Sequence, residues 1–150
     1  MFTGRFYHNL DEKGRLTIPS RFRELLVASG AYITQGFDQN LMVLPLRFFG
    51  NIAETVRGLS LTDPQARLLR RVIFSGADLL EVDKAGRILI PSDLRYYAGL
   101  ENEVVLAGVG DHFEIWSVGY WNDQKIQIQN AQENAQRFIA LELTSQNKDL

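Results

Sequence analysis

The chain has 150 residues, 45% hydrophobic and 23% charged, which are the proportions of a globular protein with one sizeable domain or two small ones sharing a core. It has no cysteine, which excludes disulfides and thiolate metal sites and suits a reducing cytoplasm, and no apolar stretch is long enough to span a bilayer. With a net charge of -2 and a pI of about 5.7 the chain is not a uniformly basic nucleic-acid binder, so any such site must gather its cations on one face or repeat them in an oligomer.

The opening residues lack the charged-then-apolar layout of a signal peptide. Phe6, His8 and Leu10 alternate with Tyr7 and Asn9, which predicts a strand. Residues 11–14 read as a turn, with Asp11 as its acceptor and Gly14 free to take a positive φ. Leu16, Thr17 and Ile18 predict a second strand, ended by Pro19, which also opens a helix over 20–28. Phe22, Leu25 and Leu26 share one face of that helix, Ser20 is placed to cap it, and Gly30 to stop it. Strands at 32–35 and 41–44 follow, joined by a hairpin-like turn. Residues 45–71 carry Phe48, Phe49, Ile52 and Val56 and predict one or two helices, with Asp63-Pro64 as a helix start. Then come a strand at 79–82, a turn at 83–86, a strand at 87–90, and a short helix after Pro91 with Ser92 as its cap. Strands at 104–106 and 113–116 complete this run. Residues 118–141 read as a single C-terminal helix with a thin apolar stripe, and the polar residues 144–150 as a frayed end.

This order is a duplication. Residues 11–23 read DEKGRLTIPSRFR and residues 83–95 read DKAGRILIPSDLR, a constant spacing of 72. Asp11/Asp83, Gly14/Gly86, Arg15/Arg87, Ile18/Ile90, Pro19/Pro91, Ser20/Ser92 and Arg23/Arg95 are identical, and the register continues through Ile33/Val105, Gly36/Gly108 and Val43/Ile115. The units are residues 1–72, with a helical insert, and 73–150, with the C-terminal helix. Each is too short to bury much alone, so the two are expected to share one core around a pseudo-two-fold axis as a single domain.

The motif Asp11-Glu12-Lys13-Gly14-Arg15-Leu16-Thr17-Ile18-Pro19 resembles the hallmark of the MraZ family. So does Asp83-Lys84-Ala85-Gly86-Arg87-Ile88-Leu89-Ile90-Pro91, and the opening Gly4-Arg5-Phe6-Tyr7-His8-Asn9-Leu10 looks like the family's N-terminus. Two motifs at this spacing are more specific than the single one found in AbrB-class relatives. The resemblance implies a mainly β, α+β fold: a duplicated swapped-hairpin AbrB/MraZ-like β-barrel within one chain. It also implies a ring-shaped homo-oligomer, octameric or similar, that binds double-stranded DNA at short direct repeats. The family's target is the promoter of the division and cell-wall gene cluster, usually as a repressor, so the expected location is cytoplasmic and nucleoid-associated. The second motif departs at Ala85, which stands where the first has Lys13.

Within the motifs, Asp11, Gly14, Pro19 and their copies Asp83, Gly86 and Pro91 are expected to build the turn. Arg15 and Arg87 have two readings. A guanidinium beside a glycine turn can project from the loop tip and meet a phosphate or pair bidentately with guanine. It can equally salt-bridge the neighbouring Asp and brace the turn. By resemblance both arginines lie on the DNA-binding face. Lys13 and Lys84 would add non-specific phosphate attraction or be ordinary solvated lysines. Arg5 would join the same face or pair with an acidic neighbour. Arg23 and Arg95 are expected in structural ion pairs. The basic cluster Arg67, Arg70 and Arg71 reads as a solvated helix face.

His8 and His112 are the only histidines, and with no cysteine and no paired His spacing no metal site is expected. Gly108-Val109-Gly110 reads as a turn of the repeat and not as a dinucleotide loop. No nucleophile, acid and base converge, so no catalytic residue, cofactor or enzymatic activity is expected. The leading reading is a DNA-binding transcription regulator. The alternative is an AbrB-class protein-interaction or antitoxin-like module, favoured by the acidic pI and the extra helices.

Overall fold

The computed structural model describes residues 1–143, and the expected frayed end lies outside the described residues. The first copy forms β1 (Arg5–Asn9), β2 (Arg15–Thr17), α1 (Ser20–Ser29), β3 (Ala31–Gln35) and β4 (Leu41–Pro45). The insert supplies α2 (Leu46–Arg57), α3 (Pro64–Arg70) and a π-helical turn at Arg71–Ser75. The second copy repeats the order as β5 (Asp78–Leu80), β6 (Arg87–Leu89), α4 (Ser92–Ala98), β7 (Glu103–Gly108) and β8 (Phe113–Ser117), followed by α5 (Val118–Ile128) and α6 (Ala131–Ile139). This is an α+β fold. The chain divides into two compact units, Met1–Val118 and Gly119–Leu150.

Six strands make one antiparallel sheet in the order β1-β7-β8-β4-β3-β5, and β2 pairs with β6 in a separate two-stranded ribbon. The copies exchange partners. β1 of the first lies beside β7 of the second, β5 of the second beside β3 of the first, and β2 with β6 and β4 with β8 pair across the duplication. The core consequently draws on both copies. Leu16, Ile18, Ile33 and Val43 meet Ile88, Ile90, Leu106 and Ile115, all fully buried. Phe22 of α1 is its aromatic hub, with ring centroids 5.2 Å from Phe2, 5.1 Å from Phe6 and 4.8 Å from Phe113.

The strand period of two sends alternate residues to opposite faces. Leu41 and Val43 enter this core, while Met42 and Leu44 point the other way into a second cluster with Val56 and Ile73. There Phe48, Phe49, Ile52 and Val56 form the apolar stripe of α2, and Phe49 stacks on Tyr32 at 4.3 Å. The buried Thr34 hydroxyl donates to the Ile73 carbonyl at 2.9 Å, tying the π-helical turn to β3.

Three expectations need correction. Ser20 and Ser92 cap nothing: Pro19 and Pro91 hold the N-cap positions in extended backbone, neither helix has a side-chain cap bond, and each serine falls inside the first turn. The single C-terminal helix is two, because the Asn130 side chain accepts from the Glu133 backbone N–H and starts α6 as a separate helix. The strand expected at 79–82 ends at Leu80. The helix start at Asp63-Pro64 is as expected, with the Asp63 carboxylate accepting from the Gln65 N–H.

Candidate functional site

Each Asp-x-x-Gly-Arg turn is a closed hydrogen-bonded unit. One carboxylate oxygen of Asp11, Oδ1, accepts from the backbone N–H groups of Lys13 and Arg15, both at 2.9 Å. The other, Oδ2, accepts from Arg15 Nε at 2.7 Å. The Asp11 N–H donates to the Arg15 carbonyl and the Gly14 N–H to the Asp11 carbonyl, each at 3.0 Å. The second copy repeats the set: Asp83 accepts from the N–H groups of Ala85 and Arg87 at 2.9 Å and from Arg87 Nε at 3.0 Å. Position 13 contributes only its backbone N–H to the turn, which explains why alanine serves in its place at 85. The Arg15 N–H above all holds the Asp11 carboxyl below the usual range; desolvation, next in size, opposes it, and the Arg15 side chain and the Lys13 N–H add to the lowering. Asp83 is depressed in the same way, first by the Arg87 N–H. Gly14 and Gly86 take φ of +83° and +78°, where a Cβ is strained.

The antiparallel ribbon sets the two turns at its opposite ends. Leu16 pairs with Ile88, Arg15 with Leu89 and Thr17 with Arg87. Leu16 and Ile88 point inward and are fully buried, so Arg15, Thr17, Arg87 and Leu89 share the outward face. At the ribbon's ends the Ile18 N–H donates to the Gly86 carbonyl and the Ile90 N–H to the Gly14 carbonyl, both at 2.9 Å. Arg87 Nη1 stands 3.9 Å from Asp11 Oδ2, so the two turns also touch electrostatically.

The ion pair expected as one reading of Arg15 and Arg87 is therefore present in both copies. It engages one edge of each guanidinium through Nε, and the side chains remain 34% and 33% exposed. A guanidinium held through Nε and still one-third exposed can offer its remaining N–H groups to a phosphate oxygen or the acceptor edge of guanine. Lys13 and Lys84 are exposed beside the two arginines at the turn tips. Arg5 is not brought to them. It begins β1, while the Leu10–Leu16 bridge joins the other end of that strand to β2, roughly 16 Å away at about 3.3 Å per residue.

A groove of about 350 Å³ runs beside the ribbon, lined by Arg15, Arg87 and Leu89 together with the acidic Asp78, Glu81 and Asp83. The cations of the ribbon are thus edged by acid, in keeping with the acidic pI of the whole chain.

The ion pairs expected for Arg23 and Arg95 do not form: among the described residues neither has a carboxylate within 4.0 Å. Each lies instead against the glycine of the other copy. A Cβ on Gly14 would stand 2.6 Å from Arg95 Cζ, and one on Gly86 would overlap Arg23 Nη1. Arg95 Nε also donates to the Ile90 carbonyl at 3.0 Å. The signal was in the sequence, since Arg23 and Arg95 are one of the seven identical pairs, but nothing local says what they touch.

His112 is half-buried and stacks on Phe48 at 5.4 Å, and burial lowers its pKa. Among the described residues no group of His, Cys, Asp and Glu is arranged to hold a metal ion, and no helix is long and apolar enough to cross a membrane.

The chain matches the family described as "MraZ protein, putative antitoxin-like", once over residues 1–72 and again over 73–141. It is 48% identical to a protein named "Transcriptional regulator MraZ" from Thermomicrobium roseum, over 83% of this chain and 87% of that one. Proteins of the same name from Herpetosiphon aurantiacus and Desulfitobacterium hafniense (strain Y51) are 46% and 44% identical. They cover 81% and 90% of this chain, and 84% and 94% of their own.

Proposed function

The chain belongs to the MraZ family, and from that membership we propose that it is a DNA-binding transcriptional regulator and not an enzyme. The observation that carries the proposal is the pair of Asp-anchored arginines, Arg15 and Arg87, on the outward face of one ribbon. Two preset guanidiniums meet DNA with little further ordering, which is where an exposed long side chain otherwise loses binding free energy. Arg15 and Arg87 make the principal contacts. Lys13 and Lys84 attract phosphates, and Arg5 meets a phosphate further along the duplex.

In this reading the exchanged strands and the ribbon form a swapped-hairpin barrel about a pseudo-two-fold axis. The units 1–72 and 73–150 make up one shared-core domain. The protein acts in the cytoplasm on the nucleoid as a ring-shaped homo-oligomer, an octamer or similar. It binds short direct repeats in the promoter of the division and cell-wall gene cluster and represses it. A single ribbon offers few contacts, so repetition around a ring matched to repeated DNA supplies the affinity.

The test is a mobility shift on the duplex upstream of the chain's own gene, across a salt series, with random-sequence duplex as competitor. Specific, salt-weakened binding that needs more than one repeat is the expected result. Arg15→Ala with Arg87→Ala should abolish it and flatten the salt dependence by about 0.9 per lost phosphate contact. Normal binding by a folded double variant refutes the assignment. A second reading, an antitoxin-like protein-docking module, is favoured by the acidic charge balance and by the family's antitoxin-like description. A wild type that binds its upstream duplex no better than random DNA would favour it.

A further inference from the structure

We propose that Arg23 and Arg95 are positioning residues that act across the duplication: Arg95 sets the turn that presents Arg15, and Arg23 the turn that presents Arg87. The consequence for DNA rests on the regulator reading above, whereas the cross-brace itself does not.

The geometry follows from the exchanged pairing. β2 ends with the Ile18 N–H donating to the Gly86 carbonyl, Pro19 then caps α1, and the Arg23 N–H donates to the Pro19 carbonyl. Arg23 is thus at the first turn of a helix that starts beside the other copy's glycine. Helical side chains lean toward the helix N-terminus, so the guanidinium is carried back over Gly86. Arg95 reaches Gly14 by the same route through Ile90 and Pro91. The missing Cβ at each glycine is the space that the guanidinium occupies: three atoms of Arg95 lie within 2.9 Å of where a Cβ on Gly14 would stand.

Both arginines are half-buried, and among the described residues neither is neutralised by a carboxylate within 4.0 Å. Their charge therefore lies directly beneath the two turns. Each glycine is followed by the functional arginine, and the preceding Asp binds that arginine's N–H and Nε. The glycine's backbone is already bonded through its N–H to the Asp carbonyl, and the guanidinium packed on its Cα face adds the side-chain contact that the Asp carboxylate does not supply.

The test is a pair of double-variant cycles on binding to the upstream duplex. Arg95→Ala alone should weaken binding about three- to tenfold, the ordering loss of one long side chain, and leave the salt slope unchanged because Arg95 itself touches no phosphate. Combined with Arg15→Ala it should add little further loss. Combined with Arg87→Ala its effect should appear in full. Arg23→Ala should show the mirror pattern, coupling to Arg87 and not to Arg15. Equal coupling of Arg95 to both arginines marks a general loss of structure and overturns the inference, as does a salt slope reduced by about one.

A DNA-free measurement stands beside it. In Arg95→Lys, the milder variant in case alanine unfolds, amide exchange at Lys13 and Arg15 should accelerate while Ala85 and Arg87 keep wild-type rates. Unchanged exchange at 13 and 15, or equal acceleration in both turns, overturns the cross-brace. Failure of wild-type protein to bind the duplex would count against the regulator reading alone.

Discussion

Replacing Gly14 by alanine separates the two demands on that position. The backbone there has φ +83°, and a residue with a Cβ pays about 1–2 kcal/mol in the left-handed region. The new methyl also meets Arg95, with Cζ at 2.6 Å, Nε at 2.7 Å and Nη1 at 2.9 Å, all inside normal contact. The guanidinium must move, which breaks the 3.0 Å bond from Arg95 Nε to the Ile90 carbonyl, a net loss of about 0.5–1.5 kcal/mol. Together these predict a destabilisation of about 1.5–3.5 kcal/mol. At about 2–4 °C per kcal/mol for a chain of this size, the melting midpoint should fall by about 3–14 °C at fixed protein concentration. Gly50 is the internal control, because it lies within α2 and a Cβ there meets nothing within 4 Å. Gly50→Ala should stabilise by about 0.5–1 kcal/mol through helix propensity. In Gly14→Ala with Arg95→Ala the collision is gone and only the backbone strain remains, so the two losses should sum to less than their separate values. Urea unfolding of the wild type, Gly14→Ala, Gly50→Ala, Arg95→Ala and the double variant measures all of this. A Gly14→Ala variant as stable as Gly50→Ala, or strict additivity with Arg95→Ala, refutes the argument.

Phe22 is buried and touches three other rings, so Phe22→Ala should cost about 3–5 kcal/mol, comparable to a small domain's whole stability. Loss of the near-ultraviolet circular dichroism should accompany it, and a urea midpoint within experimental error of wild type would contradict the hub role. Burial above all, with help from Asp38, raises the Glu114 carboxyl, although Trp116 Nε1 donates to it at 3.0 Å. A pKa raised on folding stabilises below the unfolded value near 4.5 and loses that contribution as pH rises through the folded value. Glu114→Gln keeps an acceptor for Trp116 without the charge, so it should gain stability over wild type at neutral pH and show no gain below about pH 4. Denaturant unfolding at both pH values checks the sign, and a neutral-pH loss would reverse it.

The turns were legible in the sequence because their chemistry is local: an Asp whose side chain reaches N–H groups two and four residues on, and a glycine at the position of positive φ. The strands and first helices were legible because burial on one face imposes a period of two or 3.6, and the duplication showed each element twice. Where local rules competed, the structure decided. Ser20 and Ser92 looked like caps, but a proline in extended backbone already held that position. The C-terminal apolar stripe ran through Asn130, where a side-chain cap divided it into two helices. Periodicity is likewise silent on the π-helical turn anchored to Thr34.

The sequence by itself determined that one unit occurs twice, each time with an Asp- and Gly-built turn followed by an arginine. It could not determine which unit pairs with which strand, because the hydrophobic pattern of β1 is satisfied equally by a neighbour from either copy. Only the tertiary structure crossed the pairings, set Arg15 and Arg87 on one ribbon and laid Arg23 and Arg95 over the opposite glycines. Those contacts join residues far apart in the chain, and their free energy comes from packing that exists only once both copies close on a single core.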